Sequence, residues 1–550
     1  MSVLAAHLRP SYDVVVAGSG AAGLTAALGA ATAGLSVLVA EKADLLGGTS
    51  AVGGGVIWAP GNHLMAEAGF PDSGDAARAY LAAGTDGRMS DDEIGTYVRT
   101  APEAVHALCR YGVRMRALAR PDYHPEWAGA ARGRGLDQDP FDPRPWPGLA
   151  DLLRPPTYFP LVTMSERDRL AGTAPDPGLL AARRAEGVRT MGGALVGRLV
   201  VAALACGVDI VAGSPLTGLE RTRGRWSPTV GSAELTARAV VLASGGFEWS
   251  EDLRREHLAY PVTPISAPSN TGDGLRLGVE AGAALAGMTD VWGVPVITPP
   301  DAVYDGRPSG RMGNVEMTMP GSVTVNVAGR RFVNEATNYH DLNRAFGAVD
   351  PATGRHENTP AFLVFDSAYA ARYPVAGSPA GSPAPWITRA DDLESLARAA
   401  GIDPAGLTAT VTEFNRHART GTDPLFGRGA SPQDRHLGDP AVTPNPCLAP
   451  VETPPFHAVA VHAGVLGTAG GLATDRDGRV LTTDGTALEG LFAAGNCAAT
   501  LFKDAYPGGG ATLGSAVVRA FRVGRRLAED LGPQRGPVGV ESRRPLPNRQ

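Results

Sequence analysis

Three observations in this 550-residue sequence predict an α/β fold interrupted by an inserted α+β domain. The first forty residues pass from a β-branched run through a small-residue helical stretch to a second β-branched run, the pattern of a β-α-β unit. Residues 287–446 carry strands and helices of their own. After residue 447 the chain returns to glycine motifs, so the first domain is expected to be discontinuous in sequence.

Taken in order, residues 12–17 read as a buried strand, 21–33 as a helix, and 36–40 as a strand ending at Glu41. The stretch 14–40 has no charge and is long enough to pass a hydropathy filter for a membrane span. Five glycines (Gly18, Gly20, Gly23, Gly29, Gly34) and the switch of periodicity argue for β-α-β instead, so no transmembrane segment is expected. No basic n-region with a small-residue cleavage site precedes it, and no secretory signal is expected. Residues 120–160, rich in Pro, Gly, Asp and Trp, read as an ordered loop over a site. Residues 190–206 fit a helix, 208–230 hairpin-like material, and 237–243 a strand entering Gly245-Gly246. The inserted segment is expected to contain strands at 322–327 and 361–365 and helices at 391–400 and 404–419. The expected division is 1–286, 287–446 (the insertion), 447–532 (the return to the first domain) and a disordered tail, 533–550.

Composition narrows the function. Hydrophobic residues are 43% and charged residues 19% of the chain, sufficient for real cores. With 71 Gly and 45 Pro, tight turns and close backbone approaches are expected. A net charge of −6 offers no general attraction to phosphate backbones, so nucleic acid is not an expected partner. All but Lys42 and Lys503 of the 50 basic residues are arginine, which reads as coding bias. Cys109, Cys206, Cys447 and Cys497 are widely spaced and match no metal or disulfide pattern, which fits a reducing cytoplasm.

The strongest motif is Gly18-Ser19-Gly20-Ala21-Ala22-Gly23, a GxGxxG between a strand and a helix, where glycines let backbone N–H groups approach a pyrophosphate. Glu41 closes the next strand, where a carboxylate accepts hydrogen bonds from ribose hydroxyls. A glycine-rich turn without ligand is the alternative reading, and the strand, helix and acid together make it the weaker one. Gly47-Gly48-Thr49-Ser50 and Gly53-Gly54-Gly55 follow at once and offer further donors to a long, bent cofactor, favouring FAD over NAD. Together with Thr271-Gly272-Asp273-Gly274 and Gly490-Leu-Phe-Ala-Ala-Gly-Asn496, this chain resembles the flavoprotein group containing soluble fumarate reductases and 3-oxosteroid dehydrogenases. The resemblance implies a Rossmann-like domain holding non-covalent FAD. Its implied cofactor contacts are Gly18, Ser19, Gly20, Ala22, Gly23, Glu41, Lys42, Gly48, Thr49, Ser50, Gly54, Asp273, Asn496 and Leu513. The inserted domain would cap the substrate.

Within that group, Tyr339 follows Gly329-Arg-Arg-Phe-Val-Asn-Glu335 at the place where fumarate reductases carry a proton-donating arginine. A tyrosine can instead act as a base when its phenol, of reference pKa about 10, is stabilised as phenolate. Tyr506-Pro-Gly-Gly-Gly510-Ala-Thr-Leu-Gly514 resembles the signature of 3-ketosteroid Δ1-dehydrogenases. A Tyr506 O–H and a Gly510 N–H converging on one carbonyl oxygen would form an oxyanion hole for a ketone, although Tyr506 alone also fits a half-buried aromatic beside a helix. Pro121-Asp-Tyr123-His-Pro-Glu-Trp is similar to a loop segment of that family, with His124 in place of a second tyrosine. Tyr123 is there expected to hydrogen-bond Tyr339 and stabilise its phenolate, or else to anchor Pro and Trp packing. Met319-Pro-Gly-Ser322 and Phe426-Gly-Arg-Gly429 share the likeness and are read as structural. No GxSxG elbow exists, and His124, His257, His340, His457 and His462 lack metal-ligand spacing.

The resemblance therefore implies 1,2-dehydrogenation of a 3-oxosteroid. Tyr506 and Gly510 would polarise the C3 carbonyl, Tyr339 with Tyr123 would remove a C2 proton, and flavin N5 would take hydride from C1, an unidentified acceptor then receiving the electrons. A fumarate-reductase-like enzyme, a 4-dehydrogenase and a non-catalytic flavin- or NAD-binding module remain as alternatives.

Overall fold

The computed structural model describes residues 4–5, 7–170 and 174–532; the tail 533–550 lies outside them. Ser11–Ala17 and Val37–Ala40 are strands joined by the helix Ala21–Thr32. Their side chains are buried on both faces, which is why the runs are continuously apolar rather than alternating. Ser11–Ala17 pairs in parallel with Val37–Ala40 on one side and with Thr236–Leu242 on the other. Thr236–Leu242 in turn pairs in parallel with Ala487–Ala493, and Val37–Ala40 with Asp209–Val211. Parallel neighbours need crossovers, and the helices Ala21–Thr32 and Met191–Ala205 with the C-terminal helix Ala511–Leu531 pack into one core against this sheet.

A second sheet runs in the order Arg311–Met312, Val291–Ile297, Phe456–Thr468, Ala361–Asp366, Ser322–Asn326, with antiparallel pairing along this path. Its own core includes Ile297, Met317, Leu342, Phe346 and Phe365. The 13-residue strand Phe456–Thr468 lies at its centre, and the chain rejoins the first sheet after Thr468. The strand belongs to the second sheet because its partners are the neighbouring antiparallel strands.

The expected loop over the site is partly regular. It contributes Gly135–Gln138 to a three-stranded sheet with Ile57–Trp58 and Met115–Ala117, and a turn of helix at Leu149–Leu152. The helices of the second unit are Leu393–Ala400 and Pro404–Ala418, each capped by an aspartate side chain. Buried Arg428 donates to the carbonyls of Met317, Met319 and Ser322, so the two segments read as structural lock to one another. No helix among the described residues is long and apolar enough to cross a membrane.

Candidate active site

One cavity of about 650 Å³ runs from the first glycine loop to the tyrosines. Every expected cofactor or catalytic residue lines it except Ser19 and Gly23. Gly18 turns with φ +107°, and a Cβ there would sit 2.4 Å from the Ala243 carbonyl oxygen, so the chain can make this turn only with glycine. The loop then enters the helix at Ala21, whose N–H donates to Ser50 Oγ at 3.0 Å. Ser19 and Gly23, expected among the cofactor contacts, do not line the cavity and brace the loop behind it. The Ser19 hydroxyl donates to Glu41 at 2.6 Å and accepts from the Gly47 N–H, while Gly23 lets the helix sit against the Gly18 carbonyl. Glu41 also accepts from the N–H groups of Ser19 and Ala43, which fixes its carboxylate at the cavity edge. Lys42 reaches across to Thr271 and Asp273, tying the second strand to the motif 271–274. Thr49 accepts from Asn270, and Asn496 accepts from Trp292, so distant segments close the same wall. A helix N-terminus, hydroxyls, an acid and open backbone in this order suit the pyrophosphate and ribose of a dinucleotide.

The far end of the cavity is built by three tyrosines from three segments. Tyr339 is the first residue of the helix Tyr339–Arg344, capped by Asn338, whose side chain accepts from the Asp341 N–H. The preceding turn is held by buried Arg331, paired with Glu335 and Asp423. Tyr339 donates to the Tyr506 hydroxyl at 2.9 Å, and Tyr506 also meets Thr512 at 3.2 Å. Tyr123 packs edge-on to Tyr339 and stacks on Tyr506, with ring centroids 5.4 and 5.5 Å away. Gly510 lies beside them at the start of the 21-residue helix Ala511–Leu531, where unpaired N–H groups and the helix dipole favour developing negative charge. Its φ is +98° and a Cβ would lie 2.6 Å from the Val56 oxygen, so no other residue fits.

In the resting site, burial first, then the neighbouring Tyr123 and Tyr506 phenols, push the Tyr339 phenol well above its ordinary value. Burial also raises Tyr123 and Tyr506, and Arg120 alone among the cations acts to pull Tyr123 back down. The resting triad is therefore neutral.

Several supporting residues were given no role by the sequence alone. Asp122 accepts from the Trp58 indole at 2.8 Å and pairs with Arg134, which also pairs with Asp72 inside the core. Tyr80 and Tyr123 both donate to the Pro507 carbonyl, Tyr123 through its backbone N–H, so this network fixes the loop against the Tyr506 segment. His124 bridges Glu126 at 2.9 Å and Asp341 at 3.0 Å while stacking on Trp127. Burial works against its charge, but the Asp341 and Glu126 carboxylates outweigh it and raise its pKa; this joins the Tyr123 loop to the helix that begins at Tyr339. Adjacent His340 is buried and brought down to about 4 by burial, so it is neutral beside Tyr506. No group of His, Cys, Asp and Glu among the described residues could hold a metal.

Comparison with known proteins agrees with this geometry. The chain is 39% identical over 551 residues to 4-oxocyclohexanecarboxylate 2-dehydrogenase of Sinomonas cyclohexanicum, covering 96% of this chain and 95% of that one. It is 36% identical over 568 residues to 3-oxosteroid 1-dehydrogenase of Mycobacterium tuberculosis, covering 95% and 99%. Among solved structures, 3-ketosteroid delta1-dehydrogenase from Sterolibacterium denitrificans in complex with 1,4-androstadiene-3,17-dione superposes with a TM-score of 0.87 at 33% identity, covering 95% of this chain and 100% of that one. The model of the FAD binding domain family matches residues 13–513, and this chain belongs to that family as an FAD-dependent oxidoreductase.

Proposed function

We propose that the protein dehydrogenates the CH–CH bond beside a ring ketone, with a 3-oxosteroid oxidised at C1–C2 as the substrate reading. The observation that carries it is the Tyr339–Tyr506 contact at 2.9 Å, set beside Gly510 in the cavity that also holds the FAD cradle. Tyr506 O–H and Gly510 N–H hold the ketone oxygen and stabilise the enolate as the adjacent carbon loses its proton. Tyr339 accepts that proton as phenolate, its own proton having first been lost to solvent, which is the step that rising pH favours. Tyr123, fixed by Asp122 and Pro507, keeps both phenols in register. FAD, when bound, supplies the hydride acceptor for the neighbouring carbon, and an external electron acceptor restores its oxidised form. One proton and one hydride leave, and one carbon–carbon double bond forms. The first sheet is read as the FAD domain and the second as the cap over the substrate. The four cysteines are free, which supports a cytoplasmic location.

The test is anaerobic mixing of the yellow protein with a 3-oxo-4-ene steroid. Bleaching of the flavin is expected, whereas bleaching by succinate and not by ring ketones would hand the reading to a fumarate-reductase-like enzyme.

A further inference from the structure

The wall of the cavity beyond Tyr123 carries a cation with no ion-pair partner among the described residues. Arg167 lies on the helix Met164–Leu170, which is anchored by Asp137: its carboxylate accepts from the N–H groups of Met164 and Ser165 at 3.2 and 2.8 Å. The acids flanking Arg167 are already engaged. Glu166 pairs with Arg183 through two 2.7 Å contacts, and Asp168 pairs with Arg120. The Arg167 guanidinium forms no ion pair or side-chain hydrogen bond with any described residue, lies over the Phe159 ring at 5.8 Å and lines the cavity.

Its surroundings add to the positive potential. Burial acts first against its own charge and the like charge of Arg120 adds to this, with Tyr158, Glu316 and Asp168 offsetting them only in part. Glu316 is within electrostatic range but makes no ion pair with it, and burial raises that carboxyl toward its neutral form. Nε2 of His436, another residue lining the cavity, is buried without a hydrogen-bond partner, and Arg120, Arg132 and Arg167 all act against its protonation. The carboxylate lining the cavity beside it, Asp168, is taken by Arg120, and a buried guanidinium with no carboxylate of its own is costly unless an anion meets it; its planar fork suits a carboxylate in particular.

Arg120 connects this cation to the chemistry: its charge acts on Tyr123, and its guanidinium meets Met164 Sδ at 3.6 Å, one turn from Arg167. Resting on the ketone reading above, we propose that the substrate is a ring ketone bearing a carboxylate at the end remote from the carbonyl, and that Arg167 binds that carboxylate. Two sources share this chemistry, a single-ring keto acid and a steroid whose side chain ends in a carboxylate.

The experiment compares each keto acid with its uncharged counterpart on the FAD-loaded protein. The pairs are 4-oxocyclohexanecarboxylate with its methyl ester, and a 3-oxo-4-ene steroid with a carboxylate-ended side chain with its methyl ester. Flavin reduction gives KM and the rate of reduction, and perturbation of the flavin spectrum gives Kd without turnover. At least one acid is expected to bind more tightly than its ester, and the preferred pair identifies the source. Arg167→Met is expected to raise KM and Kd for that acid by about 10- to 100-fold, leaving the reduction rate at saturation and the ester's Kd nearly unchanged. Arg167→Lys should restore part of the preference, and flavin content reports whether either variant is folded. Equal Kd values for acid and ester in the wild type, or an equal loss for both in Arg167→Met, overturns the proposal. If no ketone reduces the flavin, the dehydrogenase reading fails, while the acid-to-ester ratio of Kd still decides the role of Arg167.

Discussion

Replacing Tyr339 by phenylalanine removes one oxygen and leaves the ring where it is, wedged edge-on between Tyr123 and Tyr506 at 5.4 Å from each. The structural loss is a single buried hydrogen bond, worth about 0.5–1.5 kcal/mol net. Tyr506 keeps Thr512 as a partner at 3.2 Å, so its hydroxyl is not stranded. If Tyr339 is the base, the kinetic loss is much larger. General base catalysis contributes about 10²–10⁴-fold, which at about 1.36 kcal/mol per decade is roughly 2.7–5.4 kcal/mol. The two ranges do not overlap, so one measurement separates a packing tyrosine from a catalytic one. The assay is anaerobic single-turnover reduction of the bound flavin by a ring ketone, with flavin content confirming the fold. A rate within threefold of wild type would refute the assignment. The pH profile gives a second reading. Because the Tyr339 phenol is held well above its ordinary value, its ionised fraction, and with it the wild-type rate, should climb without a plateau from pH 6 to 9. The Phe variant should lose that slope.

Tyr506→Phe removes an oxyanion donor, typically worth about 2.7–4 kcal/mol of barrier, and should weaken ketone binding as well as slow reduction; a change in rate with unaltered Kd would argue against the hole. Gly20→Val places a branched side chain where an added Cβ already lies 3.3 Å from Ser50 Oγ, and the purified variant should lose its yellow colour; full FAD occupancy in a folded variant would refute the placement of the cradle. His124→Gln tests the link to the Tyr339 helix through stability. The folded-state pKa of His124 is raised, so its contribution is fully present below the unfolded value near 6.5 and is lost as pH rises through the folded value. The wild-type advantage in Tm over His124→Gln should therefore be largest in mild acid and fade in alkali, and a pH-independent difference would remove the ion-pair explanation.

The sequence by itself determined the strand-loop-helix at 12–33, the acid at Glu41 and the residue types of the proposed catalytic set. Each is legible because a local rule governs it: continuous apolar runs for a strand buried on both faces, glycine where φ is positive, and a motif whose spacing survives in one dimension. That Tyr339 and Tyr506 meet at 2.9 Å, 167 residues apart, was decided only by the pairing of distant strands and by the buried Arg331 and Arg134 networks that hold the segments beneath them. The same holds for Phe456–Thr468, whose membership of the second sheet depends on partners in other segments and not on its own composition. That the Ser19 hydroxyl turns inward to donate to Glu41 is likewise seen only in the folded loop. Arg167 gave no signal at all, because a cation is recognised as unpaired only after Glu166 and Asp168 are seen committed to other arginines. Such facts concern which charges meet across space in a low-dielectric interior, and that is fixed by tertiary packing alone.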